Sequence, residues 1–378
     1  KKLMKKFFSK LKILFIPLVI LAFFIPHLVK LEFPIPADSL VGLYHPWRDN
    51  SYLGYSPLKF KVKNPILTDP VLQTYPWRQG IVKEFKNLTL PLWNPYSFSG
   101  QPLFANIQSA PLQFQNIFFF ILPFKFAWSA NIILSQILLG TFMFLFLKNL
   151  KITTTSSVFA SIVLPFSGFF MPWMTWGTIV TTAMWLPLIL FSIDKITSGT
   201  KPLFFLILTL SFFQVLVSGH LQTSLYVFLA VFIYLAFKIP KAISFKPFFL
   251  IIFSAFCGTL IASPQLLPTL EFINLSNRTF DQGFFPGRQD WFLPAQNLIQ
   301  IVAPDFFGNP ATYNYWGIWN YIEFVSFVGI FPLGFALFSI LRPAKEKAYF
   351  LLLGTVALLM ALDYPISKIP YELKLPLF

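Results

Sequence analysis

Nine apolar stretches dominate the sequence, at about residues 11–29, 127–147, 156–172, 178–194, 202–218, 221–237, 247–263, 323–341 and 348–362. A helix crossing the roughly 30 Å hydrocarbon core of a bilayer needs about 20 residues of this kind. Inside hydrocarbon the backbone must also satisfy its own hydrogen bonds. So many runs in one chain predict helices packed in a membrane. Composition agrees: 56% of residues are hydrophobic and 11% charged, against about 25% charged in soluble domains. That excludes an ordinary soluble enzyme, and so much apolar surface excludes a disordered chain. The expectation is an all-α polytopic integral membrane protein with nine or more transmembrane helices, the whole of 1–378 forming one transmembrane domain. The segment 113–124 is apolar but too short to span and reads as re-entrant or interfacial.

The charges supply an orientation. With the N-terminus cytoplasmic, 16 of the 29 Lys and Arg fall in the N-terminal run and in short loops on one side, where cytoplasmic loops concentrate them. Of the 14 acids only Asp194 and Glu346 fall on that side. The net charge of +15 is therefore a topology signal and an attraction to the cytoplasmic leaflet, and nucleic acid is not implied. The basic N-terminal run followed by an apolar stretch could be a secretory signal, but no small-residue cleavage site follows, so an uncleaved first helix is expected. The chain begins without methionine and ends soon after the ninth run, which predicts further helices or an outer domain beyond it. One cysteine, Cys257, excludes an internal disulfide framework and a multi-cysteine metal site.

Two segments are too long to be simple connections, 30–126 and 264–322, and both are expected to be extracytoplasmic. Long loops on a rigid scaffold are where function concentrates. The first contains a repeat. Asp38 opens D-S-L-V-G-L-Y-H-P-W-R, ending at Arg48, and Asp69 opens D-P-V-L-Q-T-Y-P-W-R, ending at Arg78. If the apolar stretch is helical, each Asp and Arg lie about two turns apart on a shared face. One reading makes each Asp a functional carboxylate and each Arg a bidentate phosphate clamp. The other makes the segment an interfacial helix, with Tyr44, Trp47, Tyr75 and Trp77 in the aromatic belt and Arg snorkelling. A third stretch, P-L-W-N-P-Y-S-F-S-G-Q-P-L-F-A-N-I-Q-S-A at 91–110, carries Trp93, Asn94, Tyr96, Gln101, Asn106 and Gln108. Aromatic faces with amide donors and acceptors suit carbohydrate, and the same composition suits a Pro/Gly-punctuated turn.

These motifs, with S-G-H-L-Q-T-S-L-Y at 218–226, S-P-Q-L-L-P-T-L-E at 263–271 and Y-I-E-F-V-S-F-V-G at 321–329, resemble the YfhO family of bacterial membrane proteins. The resemblance covers about residues 30–341. It implies a GT-C-like fold and transfer of a sugar from a polyprenyl-phosphate donor to a cell-envelope acceptor on the outer face of the cell membrane. It implies an acidic base in the first outer loop. Asp38 fits by position, Asp69 by the Asp-x-x-x-Gln-x-Tyr-Pro motif, and both are carried. Gln73, Tyr75, Trp93, Asn94, Gln101, Asn106, Gln108, His220 and Gln222 would then contact substrate. Arg48, Arg78, Arg278 and Arg288 would be candidates for the lipid phosphate. No cofactor is firmly implied, and a divalent cation is compatible with the chemistry.

His220 and Gln222 stand at an outer helix junction, where a lone His is otherwise a structural residue. Arg278 and Arg288 are the basic residues of the second loop, so each is a phosphate ligand or half of an ion pair between loops. P-D-F-F-G at 304–308 and N-Y-W-G at 314–317 read as ordered turns. The sequence lacks a P-loop, a G-x-G-x-x-G and a G-x-S-x-G motif. The interiors of the apolar runs carry no charge, whereas ion-coupled transporters usually place ionisable groups there. A flippase or exporter of lipid-linked sugar or polysaccharide remains the alternative, with a non-catalytic scaffold of envelope assembly as a third.

Overall fold

The computed structural model describes residues 2–372, apart from 53, 200–201, 239–244, 277–291, 319 and 343–346. The chain is mainly helical, and each apolar stretch contains a helix. In order these are α1 (Lys2–Val29), α2 (Asp38–Leu43), α3 (Tyr75–Lys86), α4 (Phe118–Ile121), α5 (Phe124–Asn149), α6 (Thr154–Val163), α7 (Phe170–Trp173), α8 (Ile179–Ala183), α9 (Leu186–Ser198), α10 (Pro202–Val217), α11 (Leu221–Lys238) and α12 (Phe245–Asn274), then Tyr321–Phe324, Ile330–Ile340, Lys347–Ala361 and Pro365–Glu372. Among the described residues four segments are long and apolar enough to cross a membrane: α5, the continuous run Ile179–Ser198 through α8 and α9, α11 and α12. The apolar part of α1, Ile13–Val29, and the remaining apolar helices are shorter, between 10 and 17 residues. A two-stranded antiparallel hairpin, β1 (Trp93–Asn94) and β2 (Gln101–Pro102), interrupts the helices.

The core lies where α5, α9, α10, α11 and α12 meet, around Leu139, Ile189, Ile193, Leu208, Phe212, Val231 and Ile251. α1 joins it along one stripe. Ile16, Ile20 and Phe24, four residues apart and so on one helix face, bury against Ile133 and Phe144 of α5. α12 packs most extensively along α10. Gly258 permits that approach, since a Cβ there would stand 2.8 Å from the Thr209 carbonyl oxygen. Small residues let membrane helices come this close. α12 also carries an exposed row, Phe245, Phe249, Phe253 and Phe256, whose rings stack in succession. Exposed apolar area of this extent marks a surface made for another apolar phase.

At one end of the bundle α5, α9 and α11 are clamped together. Asp194 of α9 is buried and accepts from Tyr234 Oη at 2.7 Å and Asn149 Nδ2 at 2.9 Å. Lys238 Nζ lies 3.0 Å from the same carboxylate. At the other end the first loop settles on the head of α5. Val82 of α3 and Phe119 of α4 pack with Ala127, Trp128 and Ile132, and Trp128 Nε1 donates to the Pro34 carbonyl at 3.2 Å.

Three expectations are corrected. The run at 156–172 is two short helices separated by a turn. The run at 323–341 opens with the helix Tyr321–Phe324 and an extended strip, and its apolar helix starts only at Ile330. Gly329 causes this: its φ of +99° lies where non-glycine residues rarely sit. The strip is held by Gly168, whose N–H donates to the Phe327 carbonyl at 2.7 Å. Finally, the second loop does not begin at 264. α12 continues to Asn274 through Pro264 and Pro268. Each proline forfeits one helical hydrogen bond, and Thr269 braces this stretch, its hydroxyl bonding both the Gln265 and Ala105 carbonyls at 2.8 Å.

Candidate functional site at the loop end of the bundle

The two copies of the Asp…Pro-Trp-Arg repeat fold differently, because their prolines stand at opposite ends of a helix. In the first copy the helix stops at Leu43 and the chain turns through His45–Pro46, the residue before proline being biased away from helix. In the second, Pro76 sits in the first turn of α3, where its missing N–H costs nothing. Asp38 begins α2, and its carboxylate accepts the Lys63 backbone N–H at 2.9 Å, tying two parts of the loop together. Arg48 folds back on the end of α2, Nη1 lying 3.4 Å from the Leu43 carbonyl. Its Nε is buried with no partner among the described residues.

Asp69 precedes a wide turn, Pro70–Thr74, that runs directly into α3. Gln73 Nε2 lies 3.4 Å from its carboxylate. The surrounding protein removes water from this carboxyl and raises its pKa above the usual aspartate value, while a hydrogen bond with Trp176 works the other way. Trp176 pairs with Trp173, ring centres 4.6 Å apart, just past the end of α7. Asp69 thus combines a solvent-exposed edge, a desolvated carboxyl, an amide and an indole pair.

The expected shared face for Asp and Arg does not form. The segment between them is not a uniform α-helix: Pro70–Thr74 is wound more widely before α3 begins, so the spacing does not return both ends of the second copy to one face. Asp69 accordingly faces the surface and Arg78 the interior, 1% exposed. Arg78 Nη1 donates to Gln113 Oε1 at 2.7 Å and to Asn116 Oδ1. Burial lowers its pKa to about 9, so it stays protonated near neutrality. The amides continue inward: Gln113 Nε2 donates to Asn131 Oδ1 at 3.0 Å, and Gln115 Nε2 to Ser135 Oγ at 2.9 Å. The surface phosphate clamp expected of Arg78 is therefore an interior strut. The segment 113–124, expected to be re-entrant or interfacial, supplies the buried amides of this network.

In the 91–110 stretch the turn reading holds for two residues. Asn94 Oδ1 takes the Tyr96 N–H and Asn106 Oδ1 takes the Gln108 N–H, each at 3.1 Å. Trp93 and Tyr96 are exposed, while Gln101 and Gln108 are half-buried. Trp93, Asn94 and Tyr96 line a cavity of about 440 Å³ against α3, with Trp77, Gln79, Lys83 and Glu84. Asp38, Asp69, Arg48 and Arg78 are not among its lining residues, so the cavity is not where the two aspartates were expected to converge.

The second loop does reach the first. Asn64 Nδ2 donates to Asn320 Oδ1 at 3.2 Å, and Tyr313 Oη lies 3.4 Å from the Lys61 carbonyl. The turns at 304–308 and 314–317 are ordered, with the Trp316 N–H on the Phe307 carbonyl at 2.9 Å. Arg278 and Arg288 lie outside the described residues. His220 caps the start of α11, where Nδ1 meets the Thr223 hydroxyl at 2.8 Å, and Gln222 Nε2 donates to Tyr226 Oη at 2.8 Å. Glu323, left out of the sequence-based site, is a second loop-end carboxyl that burial holds above its ordinary pKa. Trp176 was also missed: it lies between two apolar runs, about 100 residues from Asp69, and only the fold brings them together. Among the described residues no three His, Cys, Asp or Glu gather as a metal site.

No known protein-family model, curated protein or solved structure matches this chain.

Proposed function

We propose that the chain is a polytopic membrane glycosyltransferase of GT-C-like architecture with nine or more spans. In this reading it moves a sugar from a polyprenyl-phosphate donor to a cell-envelope acceptor on the extracytoplasmic face. The N-terminus is then cytoplasmic, and the end of the bundle bearing the two loops faces outward.

The observation that supports this best is Asp69. A general base must be ionised yet basic enough to take a proton, so its pKa is best raised toward the working pH. Desolvation raises that of Asp69, whereas the Asp38 carboxylate is already engaged by the Lys63 backbone N–H. Asp69 takes the proton of an acceptor hydroxyl as its oxygen attacks the anomeric carbon of the donor. The bond from that carbon to the phosphate oxygen breaks, and the electron pair leaves with the polyprenyl phosphate. Gln73 orients the carboxylate. Arg48 is suited to the departing charge, since its buried Nε still has a hydrogen to donate, and donors aimed at developing charge are among the strongest catalytic contributions.

The test is transfer by the purified chain in lipid nanodiscs from a panel of synthetic polyprenyl-phosphate hexoses. Asp69→Asn should remain folded and lose roughly 100-fold or more in rate, the usual contribution of general base catalysis. Asp38→Asn should retain most activity. Equal activity of Asp69→Asn and the unaltered chain would refute the assignment.

A further inference from the structure

The cavity beside α3 does not include Asp69 in its lining, and that lining has a distinct chemistry. Three aromatic side chains, Trp77, Trp93 and Tyr96, meet three polar ones, Gln79, Lys83 and Glu84, around about 440 Å³ of space. That volume falls within the range of small-molecule sites, which combine apolar walls with a few placed polar groups. Trp93 and Tyr96 are 55% and 79% exposed.

The hairpin holds these rings in place at a conformational cost. Phe98, Ser99 and Gly100 have φ values of +52°, +62° and +109° in succession. Two of the three are not glycine, and such left-handed residues cluster where a loop serves a site. Gly100 has a further role: a Cβ on it would stand 2.6 Å from the Trp93 ring. Glycine therefore lets the indole lie against the turn, which fixes the ring that faces the cavity. The Lys83 amine is similarly placed, 3.3 Å from Tyr96 Oη. Glu84 already accepts from the Thr89 hydroxyl at 2.8 Å.

We infer that this cavity is a carbohydrate-binding site for hexopyranose units of a glycan. A pyranose ring has an apolar face of C–H groups and a rim of hydroxyls. The rings of Trp77, Trp93 and Tyr96 fit the face, and Gln79 and Lys83 fit the rim. An aromatic belt at a membrane surface would explain exposed Trp and Tyr on a convex, lipid-facing wall. Here the same residues enclose a concavity and alternate with amide and charged groups. The inference is independent of the transferase reading, because an exporter or a scaffold would hold a glycan in the same way.

The experiment is equilibrium binding by the full chain in nanodiscs to four probes: maltotetraose, cellotetraose, chitotetraose and mannotetraose. Tryptophan fluorescence and saturation-transfer NMR give the readout. At least one probe should bind saturably. Trp93→Ala and Tyr96→Ala should each weaken that binding about 2- to 13-fold, the equivalent of the roughly 0.5–1.5 kcal/mol of an aromatic contact beyond its buried area. Tyr96 is largely exposed, so its replacement tests the site without threatening the fold. Asp69→Asn should bind normally, which separates this inference from the catalytic one. Absence of binding to all four probes, unchanged affinity in both variants, or quenching by brominated lipid that falls measurably in Trp93→Ala would each overturn it.

Discussion

Asp194 offers a quantitative test of how the bundle is held together. Its side chain is 6% exposed and Lys238's is 27%. Tyr234 and Asn149 are its other partners among the described residues, so one carboxylate links the ends of α5, α9 and α11. Replacing it with asparagine removes the negative charge, while an amide oxygen can still accept from Tyr234. Removing one partner of a buried ion pair costs about 3–5 kcal/mol, because the other charge is left uncompensated. Lys238 can partly reach water, which lowers the expectation for Asp194→Asn to about 2–4 kcal/mol. Lys238→Met leaves the carboxylate its two neutral donors and should cost less. In a double-mutant cycle the two changes should couple by about 1 kcal/mol or more, as directly contacting residues do. The assay is reversible unfolding in mixed micelles titrated with SDS. A coupling below about 0.5 kcal/mol, with Asp194→Asn as stable as the unaltered chain, would refute the clamp.

Gly258→Leu should separate α10 from α12 and cost about 1–3 kcal/mol in the same unfolding assay, the range for overpacking a filled interface. Arg78→Ala strands the oxygens of Gln113 and Asn116 and should cost roughly 1–3 kcal/mol for each; Arg78→Lys should not restore full stability, because one compact ammonium replaces a rigid fork. For pH, Asp69 works as a base only when ionised, and its folded pKa is raised. Transfer should therefore fall as pH drops through a midpoint above the ordinary aspartate value, and a midpoint at or below that value would contradict the desolvation argument. In a Cys257→Ala background, Ser56→Cys should react with an impermeant thiol reagent on intact cells, and Ser198→Cys only after permeabilisation. The reverse pattern would place the two loops in the cytoplasm.

Membrane character was legible in the sequence because hydrophobicity is local: a run of apolar residues declares itself without knowledge of its neighbours. Helix ends were less so. The run through Val325–Gly329 is as apolar as a helix, and its extended form depends on Gly329 and on a hydrogen bond from Gly168, more than 150 residues away in sequence. α12 outlasts its expected end because Ala105, in the first loop, accepts a bond from Thr269. Proline at 264 and 268 signals a stop in isolation, and only tertiary partners reverse that reading.

The repeat shows how a correct sequence observation can carry a wrong geometry. Two Asp…Pro-Trp-Arg copies suggest two equivalent devices, yet one inserted residue, His45, sets Pro46 after a helix, whereas Pro76 opens one. The insertion breaks the first copy into a helix and a turn, where Asp38 and Arg48 serve the loop's own backbone. Without it, the second copy leads directly into α3, and its two charges part. Arg78 goes inward to a bed of amides, and Asp69 stays at the surface beside Trp176. That division follows from the wide turn at Pro70–Thr74 that leads into α3. It also bears on the proposed base: among the described residues no neighbouring charge acts against the desolvation that raises the Asp69 pKa.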